Sequence, residues 1–557
     1  MRWLIALLVL ACCAGPPQQI GAQPSWRKPT AAATPVRPVT FAPGSEPATR
    51  YNESLQAPPH TALGDAVIAA VTDAANQAHV PVPAADVRLF RACTELAQIA
   101  SEDGVVDYSL IEFALQRNGI IEPSPHLLVL WANTDSPARI VDQLTPQLAE
   151  ILGDGATARV GIGAVQRKPD GTSAVVFALQ GSAVTTSPVP RALPAGGSFK
   201  LDAIVDIRYH EPEVFVTRDD GTTERLALEQ GHSGAFKSTI MCGKHIGRQQ
   251  IEITASGVSG STVLANFPVY CGTEPPLALT VEPSHDDGGV IEPAGASQRL
   301  FALLNRDRKT AGLPALVWDD RVAKVAQGYS EEMRRTKLVA HVSPTSGSAA
   351  DRVRVAGIKT AVVLENVARA YGVGEAHAGL MNSPGHRANL MSPTATHVGI
   401  GVALGDDVGG KRELFVTQVF IRIPPKVDAA RAAQIVEQQL DTVRAVKRNP
   451  KLTATAQQLA DGLAAGKSRD SLWPAASRQL DALGNQYARV GSVITAVSEL
   501  DSLDGKQLVG DYKPDDVGIG IAQGTHPEIG EGAIWIVILM AEKLGTEHRD
   551  APPQQRR

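Results

Sequence analysis

Apolar residues recur at helical spacing over residues 66–78 and 87–101, where Val87, Phe90, Leu96 and Ile99 share one face. Alternating apolar runs at 159–163 and 173–180 then read as strands. The period changes after Pro190. Short β-runs at 199–207, 213–217, 235–241, 249–255 and 263–270 are separated by turn signals such as Asp219-Asp220-Gly221. That spacing predicts a small Ig-like β-sandwich over 190–272. Helical periodicity returns from Gln298 to Ile423, with Val322, Val325, Ala326, Tyr329 and Met333 lining one face of 320–336, and again from Val427 to about Lys543.

The polar stretches divide these blocks. Residues 16–59 hold ten of the 38 prolines, mixed with Ala, Thr, Gln and Ser, and read as an extended tether. The division is an export signal at 1–22, a Pro-rich linker at 23–59, a first α/β module at 60–186, the β-sandwich at 190–272, and a Pro/Gly/Asp-rich linker at 273–293. Then come a second α/β module at 294–424, a third at 427–544 and a polar tail at 545–557.

One tetrapeptide recurs. Val160-Gly161-Ile162-Gly163, Val398-Gly399-Ile400-Gly401 and Val517-Gly518-Ile519-Gly520 each follow a helical block and precede a second apolar strand. Gln180 and Gln418 lie at the same distance from the Val of their own tetrapeptide. Three such placements predict three copies of one module, with the Gly positions on a strand that approaches neighbouring backbone closely.

The N-terminus reads MRWLIALLVLA, too short for the ~20 apolar residues of a membrane-spanning helix, and is an export signal. Two processing routes are open. Val9-Leu10-Ala11-Cys12 resembles a lipobox, which would make Cys12 the lipidated residue of an outer-membrane or periplasmic lipoprotein; Ile20-Gly21-Ala22 offers a cleavage site that would release a secreted protein. The Cys set directly behind the apolar core favours the first. Five Cys exclude a disulfide-dense scaffold; Cys242 and Cys271 end two β-runs and are placed to pair outside the cytoplasm, and Cys93 reads as a buried thiol. Basic and acidic residues number 53 and 58, a net charge of −5, which argues against nucleic acid as a partner.

Only the middle module carries a convergent polar set. Ala340-His341-Val342-Ser343 is followed by Glu365-Asn366-Val367-Ala368, then by Ser383-Pro384-Gly385-His386-Arg387-Ala388-Asn389-Leu390. Ser383 occupies an N-cap position with Pro384 at the first helical position, so His386 falls in the first turn, where imidazolium is disfavoured. His377, on a helix face read as exposed, and His397, opening a strand, read as structural. Ser343 and Ser346 lie in a loop where Ser is common. No nucleophile elbow, Walker loop, H-E-x-x-H or C-x-x-C is present.

These segments, with Asn305-Arg306-Asp307-Arg308, Leu313-Pro314-Ala315-Leu316, His397-Val398-Gly399-Ile400-Gly401 and Phe415-Val416-Thr417-Gln418, resemble the CAP superfamily of cysteine-rich secretory, antigen 5 and pathogenesis-related proteins, in its bacterial YkwD-like branch, over residues 296–422. The resemblance implies an α-β-α sandwich in the middle of the chain; together with the repeat and the β-runs it gives an α+β chain in which two degenerate CAP-like modules and the Ig-like β-sandwich flank that domain. It implies a ligand cleft of His341, Glu365 and His386; a fourth carboxylate of the family would fall near Ser383. Two His and one Glu are a set that can hold a divalent metal such as zinc with an open position. The flanking modules offer Leu148 and Gly505 where the middle one has His386. Three functions follow as expectations: an exported, non-enzymatic envelope protein binding a small apolar ligand or envelope component; a metal-dependent, peptidase-like hydrolase; or an adhesive scaffold with protein partners, held at the membrane if Cys12 is lipidated.

Overall fold

The computed structural model describes residues 38–53, 56–102, 106–152, 157–281, 292–408 and 411–544. The export signal with Cys12, and the tail at 545–557, lie outside the described residues.

Three four-stranded sheets share one strand order. In the middle one, Val317–Trp318 pairs parallel with His397–Val408, which pairs antiparallel with Lys411–Ile421, and that strand in turn with Val363–Ala370. The first sheet runs Ala84–Ala85, Thr157–Gln166, Thr172–Gly181, His126–Asn133, and the last runs Lys447–Arg448, Asp516–His526, Gly530–Lys543, Tyr487–Val497.

The tetrapeptide has a packing reason. A Cβ at Gly401 would sit 2.2 Å from the backbone N of Gln327, one at Gly163 would sit 2.1 Å from that of Thr94, and one at Gly520 would sit 2.2 Å from the backbone of Ala456. In each module a helix lies directly on this strand: Val87–Ala97, Asp320–Thr336 or Pro450–Ala464. The side chain is missing because helix backbone occupies its place.

Each sheet is covered on both faces. In the first, Ala174, Val176 and Ala178 pack with Leu89 and Leu96, while Val175, Phe177 and Leu179 on the opposite face pack with Val67, Val71 and Leu144. The alternation is the period of a strand buried on both sides. In the middle sheet, Val398, Ile400 and Val402 meet Leu300, Leu304 and Leu380 on one side, and Val419 and Ile421 meet Val322 and Ala326 on the other.

Between the first two modules lies a two-sheet unit. One sheet orders Glu229–Gln230, Ala235–Met241, Ser198–Val205, Val184–Thr186; the other orders Thr223–Arg225, His210–Thr217, Gly247–Gly257, Gly260–Cys271, Ala192–Leu193. Their inner faces meet in one core that includes Val214, Phe236, Ile240, Ile251, Ile253 and Phe267. Cys242 and Cys271 form a disulfide with a Cα–Cα distance of 5.7 Å, and Cys93 is buried as a free thiol.

The described part of the 23–59 linker is docked rather than extended. Val39–Phe41 pairs with Leu279–Val281 and Arg50–Tyr51 pairs with Val189–Pro190. Phe41 and Tyr51 are buried, and the Tyr51 hydroxyl donates to the Pro268 carbonyl at 2.7 Å. Pro-rich composition points to a tether, but two aromatic anchors suffice to hold this stretch to the body.

Candidate functional site

His341 is placed from the helix Asp320–Thr336. That helix is capped by Asp319, whose carboxylate accepts from the N–H groups of Arg321 and Val322. Its buried Tyr329 donates a hydrogen bond to the Ala340 carbonyl at 2.5 Å, fixing the residue before His341. The guanidinium of Arg352 lies 3.4 Å from the Tyr329 ring centroid, a stacked cation–π contact.

Glu365 stands on the strand Val363–Ala370, with its side chain almost wholly buried. Its Oε1 lies 3.1 Å from His341 Nδ1, and its Oε2 accepts from Arg352 Nη2. Both oxygens are therefore committed. The next residue, Asn366, donates to the His386 carbonyl and to Gln418 Oε1, each at 3.2 Å, while Asn389 donates to the Glu365 carbonyl at 3.1 Å. These amides lock the strand to the short helix Pro384–Leu390 that carries His386.

The His386 and His341 rings are 6.0 Å apart, centroid to centroid, at an interplanar angle of 29°. Burial, and then the neighbouring His341, push the His386 pKa down to about 3, so its imidazole is neutral across the ordinary pH range. Ser383 is the N-cap residue, but its hydroxyl does not cap the helix. It lies 2.7 Å from His386 Nδ1 and donates to Glu252 Oε2.

Glu252 comes from the strand Gly247–Gly257 of the two-sheet unit and is fully buried. Its Oε1 accepts from the backbone N–H of Gly385 at 2.7 Å. Burial, opposed by the hydrogen bonds from Ser383 and Gly385, raises its pKa to about 7. At the other histidine, the backbone N–H groups of His341 and Val342 both donate to the Ser259 carbonyl at 3.0 Å, in the turn between two strands of the same unit. The two-sheet unit thus touches both histidine segments. Arg248 reinforces the contact by donating to Asn382 Oδ1 at 2.8 Å, and Arg387 by donating to the Gly221 carbonyl at 3.1 Å.

The structure brings His341, Glu365 and His386 together as one network. Among the described residues, however, these three do not gather three ligand atoms within 4.8 Å of one another; Asp219, Asp220 and His245 on the two-sheet unit do. His377, expected on an exposed face, is buried and its Nε2 lies 2.7 Å from Asp307 Oδ2, because its helix Val373–Asn382 packs against Pro293–Thr310. His397 pairs with its neighbour Thr396. Ser343 donates to Glu332 and accepts from the N–H groups of Thr345 and Ser346, which makes it a turn residue. Glu375 accepts from the Tyr371 N–H at 3.1 Å, at the start of its own helix. In the flanking modules Leu148 is core, and Gly505 abuts the Gln439 carbonyl, so neither position has room for an imidazole in this packing.

The domain is layered α-β-α, with two imidazoles and a buried carboxylate beside its central sheet. Residues 301–420 match the model of the cysteine-rich secretory protein family, and this segment is a CAP domain of the YkwD-like kind. Over 108 residues the chain is 37% identical to the Bacillus subtilis membrane protein YlbC, and over 105 residues 34% identical to YkwD of the same organism. Each match covers 19% of this chain, and the chain spans only 31% and 41% of the lengths of those two relatives. Among solved structures, an extracellular protein of Bacillus anthracis containing an SCP domain is 23% identical, with 35% of this chain and 67% of that one covered and a TM-score of 0.22. An outer surface protein of Borrelia burgdorferi is 19% identical, with 24% and 96% covered and a TM-score of 0.21.

Proposed function

We propose that this is an exported envelope protein whose CAP domain binds a small ligand between His341 and His386 and carries out no reaction on it. The commitment of Glu365 supports this reading: with one oxygen on His341 and the other on Arg352, it orients an imidazole instead of standing ready as a base. Of the nearby hydroxyls, Ser343 is tied into a turn, and Ser383 gives its hydrogen to Glu252. If a divalent metal such as zinc takes part, the two imidazoles are the residues that would hold it, with Glu365 behind His341; the ion would present a Lewis-acidic centre to the ligand. The signal-like N-terminus and the Cys242–Cys271 disulfide favour a place outside the cytoplasm. The strand order common to all three sheets supports reading the two outer modules as CAP-like copies without the cleft, which with the Ig-like unit would form a scaffold for partners.

A thermal-shift series on the full chain tests this, using zinc chloride and a panel of small apolar envelope lipids, with ester and peptide turnover measured in parallel. The midpoint should rise for the wild type and not for His386→Ala, with no turnover in either. Turnover that disappears in His386→Ala would establish the hydrolase reading instead. No shift with any probe would leave the cleft without a binding role.

A further inference from the structure

The contact between Glu252, Ser383 and His386 joins residues of two units through a single hydroxyl. Ser383 Oγ has one hydrogen. When Glu252 is ionised, Ser383 gives that hydrogen to its Oε2, while the other carboxylate oxygen is held by the Gly385 N–H at 2.7 Å. With its hydrogen spent, Oγ can only accept from His386 Nδ1, 2.7 Å away. A neutral imidazole protonated at Nδ1 carries a lone pair at Nε2. His341 reaches the same state by another route, since Nδ1 must donate to the Glu365 carboxylate. Both imidazoles are therefore set as Nε2 electron-pair donors, and neither Nε2 has a hydrogen-bond partner among the described residues.

We infer that Glu252 is a positioning residue for the CAP cleft: through Ser383 it fixes the Nδ1–H tautomer of His386, so that the two-sheet unit decides whether this imidazole offers a lone pair or a proton to the ligand. The inference rests on the reading of the cleft as a binding site only for its consequence, not for the tautomer itself. Its consequence is that both imidazoles present a lone pair at Nε2, which zinc chloride can probe.

Glu252→Gln is nearly isosteric and reverses the chain. The Gly385 N–H still needs an acceptor, so the amide oxygen stays there and the NH2 group faces Ser383. Ser383 Oγ must then accept, and its own hydrogen turns to His386 Nδ1, which places the imidazole proton on Nε2. The test uses full-length protein labelled with 15N-histidine at pH 8.5, with the His386 signals identified by their loss in His386→Gln. The wild type should show His386 protonated at Nδ1, and Glu252→Gln should show it protonated at Nε2. Ser383→Ala, which removes the hydroxyl without touching the carboxylate, should abolish the strong Nδ1 preference and guards against a Gln variant that disturbs docking. Zinc chloride should bind at least tenfold more weakly to Glu252→Gln than to the wild type. The same tautomer in all three proteins would overturn the inference. A reversed tautomer with no zinc binding anywhere would uphold it and count against the binding role alone.

Discussion

Glu252 links the docking of the two-sheet unit to pH, and the direction follows from its burial. Its ordinary carboxyl pKa of 4.5 is raised to about 7 in the folded chain, chiefly because burial disfavours the charge. A carboxyl whose folded pKa lies above its unfolded one stabilises the fold fully at pH below 4.5, and that contribution is lost as pH rises through about 7. The interval is roughly 2.5 pH units, or about 3 kcal/mol at 1.36 kcal/mol per unit. Glu112 of the first module is also raised by its burial, and its charge is one of the smaller causes that raise Glu252. Glu252→Gln has no charge to gain, so its stability relative to wild type should grow by about 2.5 kcal/mol between pH 5 and pH 8.5, part of the loss being complete by pH 5. Calorimetric unfolding of both proteins across that range measures the difference, read from the transition that includes the two-sheet unit and the CAP domain. Parallel profiles for the two proteins would refute the reasoning, since they would mean that the carboxyl titrates alike in the folded and unfolded chains.

Arg352→Ala should cost about 3 kcal/mol in denaturant unfolding, because it leaves the buried Glu365 carboxylate without its cation and removes the stack on Tyr329. Gly401→Ala and Gly520→Ala should each cost about 3 kcal/mol or block folding, because the new Cβ would fall 2.2 Å from helix backbone in both modules; circular dichroism melts check this. Reducing the Cys242–Cys271 bridge, which spans 29 residues, should lower the stability of the two-sheet unit by about 3–4 kcal/mol, measured by urea unfolding with and without a reductant.

The parts of this architecture written in short-range pattern are legible in the sequence. The Val-Gly-Ile-Gly repeat marks the strand on which a helix lies, and the spacing of Val322, Ala326 and Tyr329 marks the helix that meets it. His341, Glu365 and His386 stand in segments distinctive enough to be picked out from the order of residues alone. What is not legible is what arrives from far along the chain. Glu252 sits 131 residues from Ser383, on a strand that reads as plain sandwich core, and nothing in its neighbours marks it as facing another unit. Arg352 looks like one of several basic residues in a short helix. Ser383 reads as a helix cap because local chemistry favours that role; tertiary contacts to His386 and Glu252 take its hydroxyl instead. His377 departs from its expected exposure for a similar reason: Asp307 on a different helix supplies the partner that makes its burial tolerable.

The most direct test of a cleft built on two imidazoles is a zinc titration of the full chain observed at its histidine side chains. The signals of His341 and His386 should move together on one saturable isotherm, and His386→Ala should abolish the response of His341. If neither moves, or if the response belongs to His245 beside Asp219 and Asp220, the cleft is not the binding site.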